Sequence, residues 1–393
     1  MKIKVYPICS RLHDQDLISQ ATAELVAALE KKLATRLEVV TDPSELYDGD
    51  LALILVQSGG SEEQFIKEYP LMKEPVYLLT HGTNNSLAAS IEILSYLKNI
   101  DVKAEILHGS LNYVAARIRT LIDGSCQKIT RLGVLGKPSD WLIASNVNYE
   151  ETKRIYGIEL IDVSLNEVVE KFTEIKISDF HSDYCFDGFA VEEIEKAKKV
   201  YLAVKAVMQA HDLDGVTVRC FDLLSKLNTT ACLALALLNS EGLLGTCEGD
   251  IPSMITMELL RRRFGNPGFQ CNPSRIDVEE NSIVLAHCTL PLTMCQSYSL
   301  TTHFESGIGI GIKGKLKEGD VTVFKISNDL KTYFVSEGKI VENLDEHNLC
   351  RSQIKVVLDE DVSYFLKRPC GNHHIVIYGR HKKDIDALMS YYL

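Results

Sequence analysis

The sequence predicts an α/β protein: two Rossmann-like parallel-sheet domains followed by a β-rich C-terminal domain. Three observations predict it. Short apolar runs alternate with amphipathic stretches through the first 127 residues. Elements in that order bury their apolar faces as a parallel sheet covered by helices. The alternation restarts at "ITRLGVLGKPSDWLIAS". From residue 265 onward Pro, Gly and Asn become frequent, and short runs with a period of two dominate.

The first domain, residues 1–127, opens with the strand "IKVYPI" and the helical stretch "QDLISQATAELVAALEKKLA". "LALILVQ", "PVYLLTHG" and "KAEILHG" follow as strands, each succeeded by an amphipathic segment. The second domain, 128–264, reads as strands "RLGVLG" and "IYGIELIDVS", the charged helix "VEEIEKAKKVYLAVKAVMQAHD" and the strand "GVTVRCFDLL". The helix "NTTACLALALLNSEG", with a Gly stop, then precedes "LLGTCEGDIPSM" and the helix "ITMELLRRRFG". The third domain, 265–393, strings together "SIVLAHCTL", "SYSLTTHF", "GIGIGIKGKL", "DVTVFKI", "LKTYFVSEG", "SQIKVVL" and "HHIVIYG" before a last helix, "KDIDALMSYYL". A chain of 393 residues is too long for one core and fits two or three.

Composition narrows the function classes. Apolar residues make up 46% and charged residues 24%, the balance of an ordinary globular protein. The net charge of −12 argues against nucleic acid and anionic membranes as partners. The two basic clusters, "LLRRRFG" and "RHKK", are expected at helix ends, where cations suit the dipole. Eleven cysteines without CxxC spacing read as reduced thiols of a cytoplasmic protein. The N-terminal "MKIKVYPICSRLHD" reads as a strand rather than a signal peptide, and "ACLALALL" is too short to span a bilayer.

Several motifs carry chemistry. "GIGIKGKL" nearly matches a phosphate loop, but Leu316 replaces the metal-binding hydroxyl and a strand follows where a helix is needed. It reads as a hairpin. "GTCEGDIPS" places Glu248 and Asp250 two residues apart in apolar surroundings, where unpaired carboxylates are costly. Asp250 also suits a helix N-cap ahead of Pro252. His287 and His303 end apolar strands, as core residues or as members of a site. His81, Asn84 and Asn85 follow a first-domain strand where open α/β sheets bind ligands, with capping by Asn85 or Ser86 as the alternative. Ser139, Asp140 and the sole tryptophan, Trp141, occupy the matching place in the second domain and suit a polyol, unless Asp140 is a cap. In "CGNHHIVIYGRHKK", His373 and His374 enter a strand and must face opposite ways.

Taken together, "GTCEGDIPSMITMELL", "IVLAHCTLP", "GDVTVFKI" and "GNHHIVIYGRHKKDIDALMS" resemble the L-fucose isomerase family, and more distantly L-arabinose isomerase. The likeness spans residues 216–393 in sequence and the remainder in domain order only. It implies an aldose–ketose isomerase that uses Mn²⁺ or another divalent metal held by a Glu, an Asp and a His. Glu248 matches the Glu, as ligand and acid/base, and His373 matches the metal histidine. Asn272 stands where the family has its Asp, so Asp250 or Asp277 becomes the candidate missing carboxylate, and Asn272 a ligand through its amide oxygen. His287 is expected beside the ligands. The resemblance further implies a monosaccharide substrate in a pocket between subunits of a homo-oligomer, a trimer or hexamer, where His81 and Asn84 would reach a neighbour's sugar; Ser139, Trp141 and His287 are the other substrate-binding candidates. Asn272 supports the competing expectation, a non-catalytic sugar-binding or regulatory protein descended from an isomerase.

Overall fold

The alternating runs at the start of the chain build a five-stranded parallel sheet. Its strands are β1 (Ile3–Ile8), β2 (Leu37–Val39), β3 (Leu51–Val56), β4 (Val76–Thr80) and β5 (Ala104–Leu107), in the order β2-β1-β3-β4-β5. Parallel strands are buried on both faces, which is why β3 reads as the continuous apolar run "LALILV". Helices α1 (Gln15–Leu33), α2 (Glu62–Glu68), α3 (Ser86–Asn99) and α4 (Leu111–Ser125) alternate with the strands. This computed structural model describes residues 2–12, 14–125 and 129–393. The chain forms two compact units, residues 1–128 and 129–393. The domain boundary expected at 127/128 lies outside the described residues.

The second unit contains the other three sheets. A four-stranded parallel sheet, β7-β6-β8-β9, is built from β6 (Thr130–Leu135), β7 (Ile158–Val163), β8 (Gly215–Val218) and β9 (Leu244–Cys247). Helices α5 (Tyr149–Tyr156), α6 (Leu165–Glu174), α7 (Val191–Ala210), α8 (Cys220–Leu227), α9 (Cys232–Ser240) and α10 (Ile251–Phe264) surround it in sequence. Two local expectations change. The run "GVTVRCFDLL" is a four-residue strand followed by α8, because a short apolar run does not distinguish strand from buried helix. Helix α5, which precedes β7, was not predicted; Asn148 caps it by accepting the Glu151 N–H.

The β-rich segment closes into a six-stranded antiparallel barrel, β10-β11-β16-β15-β14-β17. Its strands are β10 (Phe269–Asp277), β11 (Ser282–His287), β14 (Gly319–Ile326), β15 (Tyr333–Asn343), β16 (Ser352–Leu358) and β17 (His374–Tyr378). Outside it, β12 (Cys295–Thr301) pairs with β13 (Gly311–Leu316), so "GIGIKGKL" is strand, as its missing hydroxyl and helix predict. A short helix α11 (Tyr364–Lys367) precedes β17, and α12 (Lys382–Tyr392) ends the chain. The "RRR" cluster lies in the last turn of α10 as expected. "RHKK" instead opens α12, where Lys382 pairs with Asp386 and Arg380 with Glu337, so local carboxylates outweigh the dipole.

Helix α10 ties the sheet to the barrel. Residues Ile251–Leu260 are all buried, and α10 packs on β9, β14 and β17. Its buried Glu258 is balanced by Arg261 and Arg262 at 2.7 Å each and by the Thr130 hydroxyl at 3.0 Å. The end of β9, the start of α10 and the entry to β17 are thereby fixed together.

Candidate active site

At the C-terminal end of β9 the chain turns sharply through Glu248 and Gly249 into α10. Glu248 has φ +65°, a left-handed conformation that costs a non-glycine residue about 1–3 kcal/mol and persists where surrounding contacts impose it. Its carbonyl accepts the Ser139 N–H at 2.9 Å, and the Gly249 N–H donates to Val218 O at 3.1 Å. Gly249 has φ +71°, and a Cβ there would stand 2.5 Å from Lys137 O and 2.7 Å from Pro138 Cα. Gly249→Ala should therefore lower stability by about 2 kcal/mol or more, read as a fall in the urea midpoint at unchanged slope.

Three buried side chains converge beyond this turn. One ligand atom each from Glu248, His287 and His373 lie within 4.8 Å of one another. Glu248 Oε1 is 3.5 Å from His373 Nε2 and 3.9 Å from His287 Nε2. Neither Nε2 has a hydrogen-bond partner among the described residues, although both are buried. Buried polar atoms are normally satisfied, so two orphaned imidazole nitrogens beside a carboxylate fit a cation.

The far side of each ligand is held. Asp250 Oδ2 accepts from His373 Nδ1 at 2.8 Å, and Thr289 Oγ1 is hydrogen-bonded to His287 Nδ1 at 2.9 Å. Trp141 Nε1 donates to Glu248 Oε2 at 2.9 Å. Partners of this kind fix the orientation and tautomer of metal-binding side chains. Asp250 also caps α10 by accepting the Ser253 N–H at 2.9 Å, and Lys325 Nζ lies 3.3 and 3.4 Å from its two oxygens.

These contacts set the protonation states. Burial works against ionisation of Glu248, yet the close approach and charge of His373, with His287 and Trp141, hold it at about 2. Burial opposes Asp250 in the same way, and Lys325 and His373 keep it well below the usual carboxylate range. Burial would neutralise His373, but Asp250 and Glu248 push it up to about 9. At His287 burial, reinforced by His373, outweighs the charges of Glu248 and Asp250 and takes it down to about 3.

Glu248 also lines a cleft of about 510 Å³, together with Trp141, Phe221, Asn272, Glu305 and Asn372. That volume suits a small ligand. Trp141 stands edge-on to Phe221 at 4.9 Å and is 53% exposed, so apolar surface faces the cleft. Carboxylate, amide and aromatic groups together are the means by which a sugar's hydroxyls and C–H face are bound.

The other sequence candidates fall as follows. Asn272 lies on the cleft wall, where its Oδ1 accepts from Asn372 Nδ2 at 2.8 Å. Its amide oxygen thus has a partner already. Asp250 is fully buried with both oxygens engaged, and is absent from the cleft wall. Asp277 turns outward, accepting from the backbone of Glu279 and Glu280. Ser139 is buried next to the Glu248 turn. Asp140 does not cap a helix but pairs with Arg219 at 2.6 Å. His374 points away from His373, its Nε2 3.0 Å from Tyr364 Oη and its ring against Phe365.

His81 and Asn84 belong to the first unit, after β4. His81 Nδ1 is 2.7 Å from Thr83 Oγ1, and Asn84 is exposed. Asn85 is the residue before α3 but makes no side-chain cap, while Ser86 Oγ accepts the Gly82 N–H.

Sequence reasoning did not single out Lys325, Thr289, Glu305 or Asn372. Only Lys325 left a signal, a lone cation inside the apolar run "DVTVFKI".

No protein-family model matches the chain. It is similar to sulfoquinovose isomerases from Priestia aryabhattai and Priestia megaterium, each 24% identical over 278 residues, covering 62% of this chain and 59% of the relative. A sulfoquinovose isomerase from Alkalicoccus urumqiensis is 21% identical over 234 residues, with 52% and 49% covered. The chain thus spans under two thirds of the length of these curated relatives. No described helix is long and apolar enough to cross a membrane.

Proposed function

We propose that the chain is a metal-dependent aldose–ketose isomerase acting on a monosaccharide. The observation that carries this is the convergence of His287 and His373, with two unpartnered imidazole nitrogens, on Glu248, which itself lines the cleft. The relatives' name, the resemblance to L-fucose isomerase and the donor set all favour it. A divalent cation such as Mn²⁺ held by these three residues would stabilise the oxyanion that develops on the sugar carbonyl. Glu248 takes the C2 proton and returns it to C1. Asp250, Thr289 and Trp141 keep the three ligands in register. His287 replaces Asn272 in the ligand set expected from sequence, and Asp250 becomes a positioning residue.

The relatives are named for a sulfonated sugar. The charged groups on this cleft wall, Glu248 and Glu305, are both acids, so uncharged aldoses are the favoured substrates. The test is exchange of the C2 proton in D₂O, followed by NMR, with L-fucose, L-arabinose and sulfoquinovose, with and without Mn²⁺. Metal-dependent exchange with one of them is expected. Sugar binding without exchange would favour the non-catalytic reading, which the engaged Asn272 amide supports. A homo-oligomer, trimer or hexamer, belongs to the same proposal and is checked by sedimentation.

Metal uptake should release protons. His287 is already neutral at pH 7.5, whereas His373, at about 9, carries a proton that the cation must displace. Mn²⁺ titration in weak buffer should release close to one proton per ion, and affinity should fall as pH is lowered. Release of none would mean that His373 is not a ligand.

A further inference from the structure

Isomerisation moves a proton between two carbons and also exchanges protons at two oxygens. Glu248 alone serves the carbons. We propose that Glu305 is the second acid–base residue of this cleft, exchanging protons with the sugar oxygens. The proposal rests on the isomerase reading above and names a group that reading does not assign.

The cleft contains few groups able to do this. Asn272 cannot exchange a proton near neutral pH, and its oxygen is engaged by Asn372. Asp250 is fully buried behind His373. Glu305 lies on the cleft wall with Glu248, yet comes from a different element, the connection between β12 and β13. That connection is fixed rather than loose. His303 N–H donates to Ile308 O at 3.2 Å, Gly307 N–H to His303 O at 3.0 Å, and Gly309 abuts Thr230. The His303 ring packs edge-on against Phe221 at 5.7 Å, and its Nε2 is 3.7 Å from Glu305 Oε2. The carboxyl is thus delivered to the sugar site by a braced loop and remains half exposed, as a group that exchanges protons must.

Its surroundings favour the protonated form. Partial burial and the charge of Glu248 both raise its pKa. The titratable and charged groups acting on it or on its neighbours are Glu248, His303, the Cys350 thiol and, through His303 and Phe304, Arg351. A carboxyl whose pKa is raised beside one whose pKa is lowered is the usual division between acid and base.

The step balances. Glu248 takes the C2 proton, and the C2–H electron pair becomes the C1=C2 bond of the ene-diol. The carbonyl π pair settles on O1, which takes the proton of Glu305. In the second half the O2 hydroxyl returns a proton to Glu305 as its electrons form the new carbonyl, and Glu248 protonates C1.

Glu305→Gln and Glu305→Asp in the full chain with Mn²⁺ test this. The sugar is the one that wild type exchanges fastest. The Gln variant should lose about 10²–10⁴-fold in kcat with KM nearly unchanged, and Mn²⁺ binding should be intact. Its kcat should also lose the alkaline limb of the pH profile, and Asp should recover part of the rate. A Gln variant with wild-type kcat, or one altered in KM alone, overturns the proposal. A wild-type chain inert toward every sugar overturns the isomerase reading itself, and that is decided before any variant is made.

Discussion

Glu248→Gln is expected to abolish turnover, by about 10³-fold or more, while leaving the fold intact. The substitution keeps size and an oxygen for the Trp141 N–H, which now donates at 2.9 Å. It removes the negative charge that faces both orphaned imidazoles at 3.5 and 3.9 Å, and it removes the base. Two separate readouts follow. The C2 proton should cease to exchange in D₂O, and Mn²⁺ should bind more weakly, since hard divalent cations favour carboxylate oxygen over amide. The variant should also shift His373 downward, because one of the two carboxylates that hold it at about 9 is gone. The histidine titration, followed by NMR in metal-free protein, measures that directly. A variant that turns sugar over at the normal rate would sink the assignment of Glu248 and the metal cluster with it.

Much of this architecture was legible in the sequence, for physical reasons that differ by element. Strands buried on both faces, such as β3 and β17, announce themselves as unbroken apolar runs. Asp250 declared its cap through Pro252, and the structure bears that out. What stayed hidden is what depends on long-range pairing. His373 meets Asp250 across 123 positions, and Lys325 meets it across 75. No local period encodes such meetings. The same holds for His287, which the residues alone place at a strand end and the resemblance places beside the ligands; the closure of the barrel brings it to Glu248. Glu305 is invisible for a further reason, since it sits in an irregular connection where neither apolar pattern nor capping marks one carboxylate out from another. Asn272 misled in the opposite direction. Its motif position was correct for the cleft, yet the neighbouring Asn372 amide occupies the oxygen that a ligand would use.

The second large effect is on stability. Lys325→Met should destabilise the second unit by about 3–5 kcal/mol. Lys325 is 1% exposed, on β14, with its ammonium 3.3 and 3.4 Å from the Asp250 oxygens and 2.7 Å from Ser253 Oγ. Burial lowers its pKa, and the Asp250 charge works against that fall. Removing the ammonium leaves a carboxylate at 0% exposure with His373 as its remaining charged partner. Breaking one half of a buried pair costs more than the pair itself contributes, so Lys325→Met combined with Asp250→Asn should recover part of the loss. Asn still accepts the Ser253 N–H through its one oxygen, but its amide nitrogen takes the place of the oxygen that accepted from His373 Nδ1, so the recovery is only partial. The pH at which this is measured matters. Asp250 has a depressed folded pKa, so its contribution is present above about pH 4 and fades as acid protonates it. His373, raised to about 9, contributes fully below about 6.5 and less as pH climbs through 9. Urea midpoints of metal-free protein near pH 6 therefore catch both charges in place. A Lys325→Met midpoint equal to wild type there would mean that Asp250 is protonated in the folded state, and that its hold on His373 is a neutral hydrogen bond.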